Sequence, residues 1–388
     1  MSKLKKIITS ALITSLSLTM LTGFTNKNNS IDTNNVNNSN KINKILWEYA
    51  GKLPNQKGYK ENIGVAGVLY GKINDYIIVG GGANFPEKSV LEGGSKKTYP
   101  DVYLLKVNED KIEFLDQIQL PFEIAYGSSV STKDGIYYIG GSTNKENAND
   151  ITLFTVESGK LKYKKIGDLP FSFSDGIAVE HNNILYIGFG KQDGKPNNRF
   201  ISFDLKTNFI KELNTIKDNS VRNQAIAQVL NNDIYLFSGG GDTINTDGYK
   251  YNIDKNSWQK VSDVMLDNKK ISLYGATSIK LNDDELLVIG GFDKKIYDNA
   301  VKNLNTLKDE ELQAFRQKYF TADPYKFNWN KEILIYNAKE DKWKTIGKVP
   351  FDAPCGAGLI FINNKIICIN GEIKPGVRTN SIYIGHIK

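Results

Sequence analysis

Ile366-Ile367-Cys368-Ile369-Asn370-Gly371-Glu372 is an apolar run stopped by a glycine. A short apolar run bounded by turn formers reads as a buried strand, and glycine lets the backbone turn sharply where that strand ends. The same unit recurs at 76–82, 136–141, 184–190, 234–241 and 286–291. Each copy follows a slightly more polar segment across a short turn rich in Asn or Asp: Asn74-Asp75, Lys133-Asp134-Gly135, Asn182-Asn183, Asn231-Asn232-Asp233, Asn282-Asp283-Asp284 and Asn363-Asn364. These are hairpin signals.

After the first five glycine ends come alternating strands at 102–107, 151–156, 200–205, 249–253 and 333–336, then a fourth strand carrying Phe114, Tyr163, Ile210, Trp258 or Trp343. Four strands per unit and six units predict an all-β chain, a six-bladed β-propeller. Glycine doublets with aromatics at these offsets resemble Kelch repeats. The sixth unit reaches its third strand at 381–387 and stops there. Its fourth is supplied by Ile45-Leu46-Trp47-Glu48-Tyr49, so the N-terminal strand closes the ring and removes exposed edges. One blade carries an insertion at about 297–328 in which Val301, Leu304, Leu307, Leu312, Phe315 and Tyr319 recur with helical period up to Pro324.

The 388 residues carry a formal charge of +7 and are 40% hydrophobic, enough for a large core. Residues 1–24, with Lys3, Lys5 and Lys6 ahead of an apolar stretch at 7–21, read as a secretory signal, and a membrane anchor is the competing reading. Phe24 holds the position where a lipobox would need cysteine, so no lipid anchor is expected. Residues 25–42 are an Asn-rich flexible linker, and 43–388 form the propeller. The expected location is therefore exported: extracellular, cell-envelope or periplasmic, without stable membrane insertion after cleavage. So mild a positive charge is no argument for nucleic acid. A hairpin around Asn363-Asn364 sets Cys355 opposite Glu372 rather than Cys368, so the two cysteines are not expected to bridge. Neither His181 nor His386 lies in a metal-binding pattern, and no metal or cofactor is expected.

Because the first two strands of each unit are antiparallel, one rim collects the residues after each glycine and those opening each first strand. The former are Asn84-Phe85, Ser142, Lys191, Asp242, Phe292-Asp293 and Glu372; the latter are Tyr126, Asp175, Arg222-Asn223-Gln224, Tyr274 and Cys355. Only the sixth unit delivers a glutamate and an arginine together, Glu372 with Arg378 beyond a Lys374-Pro375-Gly376 turn. A carboxylate can serve as general base and a guanidinium can grip a carboxylate in two places, which suits a small sugar acid. Plainer readings stand beside these: Glu372 as an exposed loop acid, Arg378 as a solvated or bridging residue, Tyr126 and Tyr274 as packing residues, and Asp175, Asp242 and Asp293 as turn formers.

The stretch Asn370-Gly371-Glu372-Ile373-Lys374-Pro375-Gly376-Val377-Arg378-Thr379 resembles the motif N-G-E-x-K-P-G-x-R-T of the bacterial N-acetylneuraminate epimerases, the sialic acid mutarotases. Residues 80–85 (GGGANF), Arg222-Asn223-Gln224-Ala225, and Tyr319-Phe320 ahead of Phe327 agree with it. The motif comes last rather than mid-chain, which resembles a cyclically permuted branch of that family. The resemblance implies cofactor-free interconversion of the α- and β-anomers of N-acetylneuraminate or a close keto-sugar acid. Glu372 would accept the proton and Arg378 assist. Arg222, Asn84, Tyr126, Tyr274 and Gln224 would surround the substrate. The sequence departs from the family at Asn223, where an acid is expected, and at Ile124, where relatives carry Arg. A non-catalytic cell-surface glycan-binding propeller is the alternative. The scattered histidines disfavour a copper radical oxidase, and the lack of an S-x-D-x-G-x-x-W box disfavours a sialidase.

Overall fold

The computed structural model describes residues 42–388 apart from Asp110 and Asn219. The signal expected over 1–24 and nearly all of the linker expected over 25–42 lie outside the described residues. The chain is built from antiparallel strands, six sheets of which have four strands each. The first runs Ala66–Ile73, Tyr76–Asn84, Lys97–Asn108 and Lys111–Ile124. The last runs Gly358–Ile362, Lys365–Ile369 and Ser381–Ile387, and its outer strand is the N-terminal Ile45–Lys52, paired antiparallel from Ile45 opposite Ile387 to Lys52 opposite Ser381.

The second strand of each sheet is apolar through its middle because its two faces meet different neighbours. In Lys365–Ile369, Ile366 and Cys368 pack with Leu287, Ile289 and Ile335 of the fifth sheet, whereas Ile367 and Ile369 pack with Val68, Ile77 and Val79 of the first. Four further clusters fill the junctions between consecutive sheets. The first strands also touch in a cycle, Ala66–Ile73 meeting both Ser128–Ser131 and Gly358–Ile362. Outer-strand aromatics seal the junctions. Trp258 packs on Phe200 and Trp343 on Phe237, and in the N-terminal strand Trp47 meets Phe351 edge-on at 5.3 Å.

One feature fixes the end of this arrangement. Where each first strand begins, one residue donates its backbone N–H to the equivalent carbonyl of the preceding sheet. Tyr126 donates to Gly67 at 2.8 Å, Asp175 to Tyr126 at 2.8 Å, Gln224 to Asp175 at 2.6 Å, Gly275 to Gln224 at 3.2 Å, Gly356 to Gly275 at 2.9 Å and Gly67 to Gly356 at 2.8 Å. The chain of bonds closes on itself. All six residues have positive φ, between 49° and 76°. Glycine takes that conformation freely, whereas other residues hold it at a cost of about 1–2 kcal/mol each. Three of the six are nonetheless Tyr126, Asp175 and Gln224. Strained backbone of this kind is a pointer to function.

The helical insertion lies between the second and third strands of the fifth sheet, as α1 (Lys294–Thr306), α2 (Asp309–Thr321) and a 3-10 turn at Pro324–Phe327. Asp293 caps α1 by accepting from the Ile296 N–H at 2.9 Å, and extended backbone at Leu307 separates the helices. Among the described residues no helix is long and apolar enough to cross a membrane.

The ring yields a stability test. A Cβ on Gly67 would stand 2.5 Å from Cδ1 of Tyr126, whereas Gly159, at φ +73°, has open space around it. Gly159→Ala is expected to cost only the backbone penalty of about 1–2 kcal/mol, and Gly67→Ala to cost more by about 1 kcal/mol or beyond, through the displaced ring. Urea unfolding of both variants measures the difference.

Candidate active site

Gly371 ends the second strand of the sixth sheet, and the chain then makes a small hairpin in which Glu372 lies opposite Arg378. Glu372 is tied on its other side to Cys355, each donating its N–H to the other's carbonyl at 2.8 Å. This is the pairing expected from the hairpin register, and both cysteines are free and buried. Position 355 adjoins Gly356 of the backbone ring, so the carboxylate is held at the ring's edge. Its Oε1 accepts the Gly376 N–H at 2.7 Å and lies 3.1 Å from Nη1 of Arg378. Its Oε2 has no hydrogen-bond partner among the described residues. That oxygen is the one free to take a proton.

Arg378 is 5% exposed, and its Nε has no hydrogen-bond partner among the described residues. Its guanidinium stacks on Phe85 at 4.9 Å and meets the Tyr126 hydroxyl. Burial pushes the Tyr126 hydroxyl up to about 12 against the pull of Arg378, so it stays protonated at neutral pH. Next around the ring, Asp175 receives Lys191 Nζ at 3.0 Å and the Gln224 side-chain amide at 2.9 Å. Of the three strained ring residues, Tyr126 thus meets the Glu372–Arg378 pair, and Asp175 and Gln224 form a second polar group with Lys191 beside it.

The insertion roofs the same end. Lys374 donates to the Ala322 carbonyl at 2.7 Å, and Arg316 of α2 donates to the Val90 carbonyl at 2.9 Å. Against the inner face of this roof lies a cavity of about 290 Å³ bounded by Phe292, Tyr297, Tyr319, Phe327 and Trp329, with Glu372 at its edge. Its volume sits near the lower end of ordinary ligand pockets, roughly 300 Å³ upward. Burial raises the Tyr319 hydroxyl pKa, and the charge of Glu372 adds to the rise. Tyr274 borders this region through edge-on contacts with Phe292 and Tyr297, and its hydroxyl accepts from Tyr297 at 3.3 Å. A second cavity, about 790 Å³, runs between the first strands and opens at the turn end near His181 and Asn182. It contains none of the polar network just described.

Two expected substrate contacts are placed differently. Arg222 lies on the anticipated rim, but its side chain is fully buried inside the fourth sheet. It forks onto Asp247 at 2.9 and 3.0 Å, reaches Asp218 at 3.1 Å and stacks on Tyr249. With two carboxylates and the Ser238 carbonyl already engaged, its fork is committed to the fold rather than to a ligand. Asn84 is likewise buried, accepting from the Tyr99 hydroxyl at 2.6 Å and donating to the Gly64 carbonyl at 2.7 Å. It anchors the loop that presents Phe85 beneath Arg378. Conversely, Asp175 proves to be more than a turn former, and Lys96 was missed altogether. Lys96 reaches over the Tyr126 ring at 4.6 Å while its neighbour Lys97 turns to Tyr59. Lys96 lies just ahead of the strand Lys97–Asn108, and its contact with Tyr126, a residue of the next sheet, leaves no mark in the local sequence pattern.

With this geometry in place, comparison with known proteins is decisive for the family. The family model described as N-acetylneuraminate epimerase matches residues 166–388, more than half of the chain. The chain belongs to the N-acetylneuraminate epimerase family. It is 32% identical over 226 residues to the N-acetylneuraminate epimerase of Salmonella enteritidis PT4 (strain P125109), covering 56% of each chain. It is 29% identical over 229 residues to that of Vibrio cholerae serotype O1 (strain ATCC 39315 / El Tor Inaba N16961), covering 55% of this chain and 57% of the other. The chain therefore spans just over half the length of the curated relatives it matches. A solved structure titled "Structure of YjhT" superposes with a TM-score of 0.50 at 24% identity, covering 56% of this chain and 64% of that one, which supports the fold.

The committed fork of Arg222 gives a second test. Arg222→Ala strands Asp247 and Asp218 without their cation, and breaking a buried pair in this way costs about 3–5 kcal/mol. Denaturant unfolding should show that loss.

Proposed function

We propose that this protein is a sialic acid mutarotase, interconverting the α- and β-anomers of N-acetylneuraminate or a close keto-sugar acid, on a six-bladed Kelch-type propeller whose blade order is cyclically permuted. The observation that carries the reading is the Glu372–Arg378 pair at the ring's edge, with one carboxylate oxygen unengaged beside a roofed cavity. Six four-stranded sheets with first strands touching in a cycle support the propeller. A linear comparison of permuted chains can align only one of the two exchanged blocks, and the family match confined to 166–388 is of that form.

In the proposed reaction Glu372 Oε2 takes the proton of the anomeric hydroxyl. The electron pair left on that oxygen forms the carbonyl, the bond from the anomeric carbon to the ring oxygen breaks, and the ring oxygen takes a proton from a solvent water. The open 2-keto form turns about one bond and closes on the other face, returning each proton. The pocket's task is to hold the acid group while leaving that torsion free. Because ring opening proceeds in water unaided, the barrier reduction asked of the protein is modest. The leader composition of residues 1–24 supports an exported enzyme that meets the sugar outside the cytoplasm.

Glu372→Gln keeps the shape and removes the base. Proton NMR of freshly dissolved α-anomer should show wild-type protein outpacing buffer, and the variant slower than wild type by about 10²–10⁴-fold. If the wild type binds the sugar without accelerating exchange, the chain is a glycan-binding module instead.

A further inference from the structure

Charge at the ring mouth is unbalanced. Arg378 is paired with Glu372 and Lys191 with Asp175, at 3.1 and 3.0 Å. Lys96 is the third cation of the cluster, and it has no carboxylate within ion-pair distance among the described residues. Its ammonium lies over the Tyr126 ring, whose hydroxyl meets Arg378. Arg378 in turn keeps an unpartnered Nε although almost wholly buried. Two cations thus meet one phenol, one over its ring and one at its hydroxyl, and each keeps donor capacity that the described residues do not use.

We infer that Lys96 determines specificity for the acid form of the ligand, its ammonium and the spare guanidinium edge of Arg378 together receiving one carboxylate. This deepens the mutarotase reading and rests on it for the identity of the ligand. Loss of hydration lowers the Lys96 pKa, with Arg378 and Lys191 acting in the same direction and Asp175 and Glu372 against it. A bound anion relieves that loss by restoring a counter-charge. Holding the acid group there also places the anomeric carbon, its direct neighbour, next to Glu372. The loop from Phe85 to Lys96 carries both the ring stacked on Arg378 and the ammonium, and its Val90 carbonyl takes Arg316 of α2. Anion recognition is thereby built on that loop and on the roof that pins it.

The test uses N-acetylneuraminate and its uncharged methyl ester as probes of the full chain by titration calorimetry. Wild type is expected to bind the acid more tightly than the ester by about 10-fold or more, the range for a hydrogen bond to a charged group. Lys96→Met should lose about that factor for the acid and leave the ester's affinity unaltered, with an unchanged melting midpoint, and Lys96→Arg should recover most of it. Equal losses for acid and ester, or no preference for the acid in wild type, would overturn the inference. Neither outcome touches the rate comparison that tests mutarotation, because binding of the ester and acid is read without turnover.

Discussion

Six backbone amides, each donating to the preceding sheet's carbonyl around a closed circle, set the geometry on which everything else depends. A single such bond contributes little net stability, about 1 kcal/mol. Its importance here is positional. The circle makes the starting points of six strands neighbours, so side chains from residues hundreds apart in sequence share one mouth. It also explains the mixture of residues. Gly67, Gly275 and Gly356 take positive φ freely, while Tyr126, Asp175 and Gln224 accept strain and project polar groups, Tyr126 to Arg378, Asp175 to Lys191 and Gln224 to Asp175.

The site exploits the rigidity of this circle. Glu372 is bonded to Cys355, the residue before a ring member, and Arg378 is fixed by the hairpin that pairs it with Glu372. Neither side chain depends on a long mobile loop for its position. The insertion is different in kind, a roof pinned at a few points by Lys374 and Arg316. A Glu372–Arg378 ion pair fixed in this way, under a separately attached roof, suits the proposed reaction, in which the ligand must turn about one bond while remaining held.

Much of this was legible in the residues. The glycine-ended apolar runs, the Asn-rich turns and the displaced outer strand gave six sheets and the N-terminal closure, because a strand buried on both faces has to be apolar at every position. The same register placed Cys355 opposite Glu372. Which side chains turn into the mouth was not legible, because it depends on packing between sheets. Arg222 shows this best: its rim position was right, yet Asp247 and Asp218 draw its guanidinium inward. Lys96 went unseen because its role comes from Tyr126, a residue of the next sheet, through a contact that no local pattern encodes.

The most direct measurement is a crystal structure of the protein soaked with N-acetylneuraminate. The account predicts the sugar between the backbone ring and the insertion, its anomeric hydroxyl within hydrogen-bond reach of Glu372 Oε2. Density for the sugar in the inter-strand cavity that opens near His181, with the Glu372 mouth empty, would contradict it.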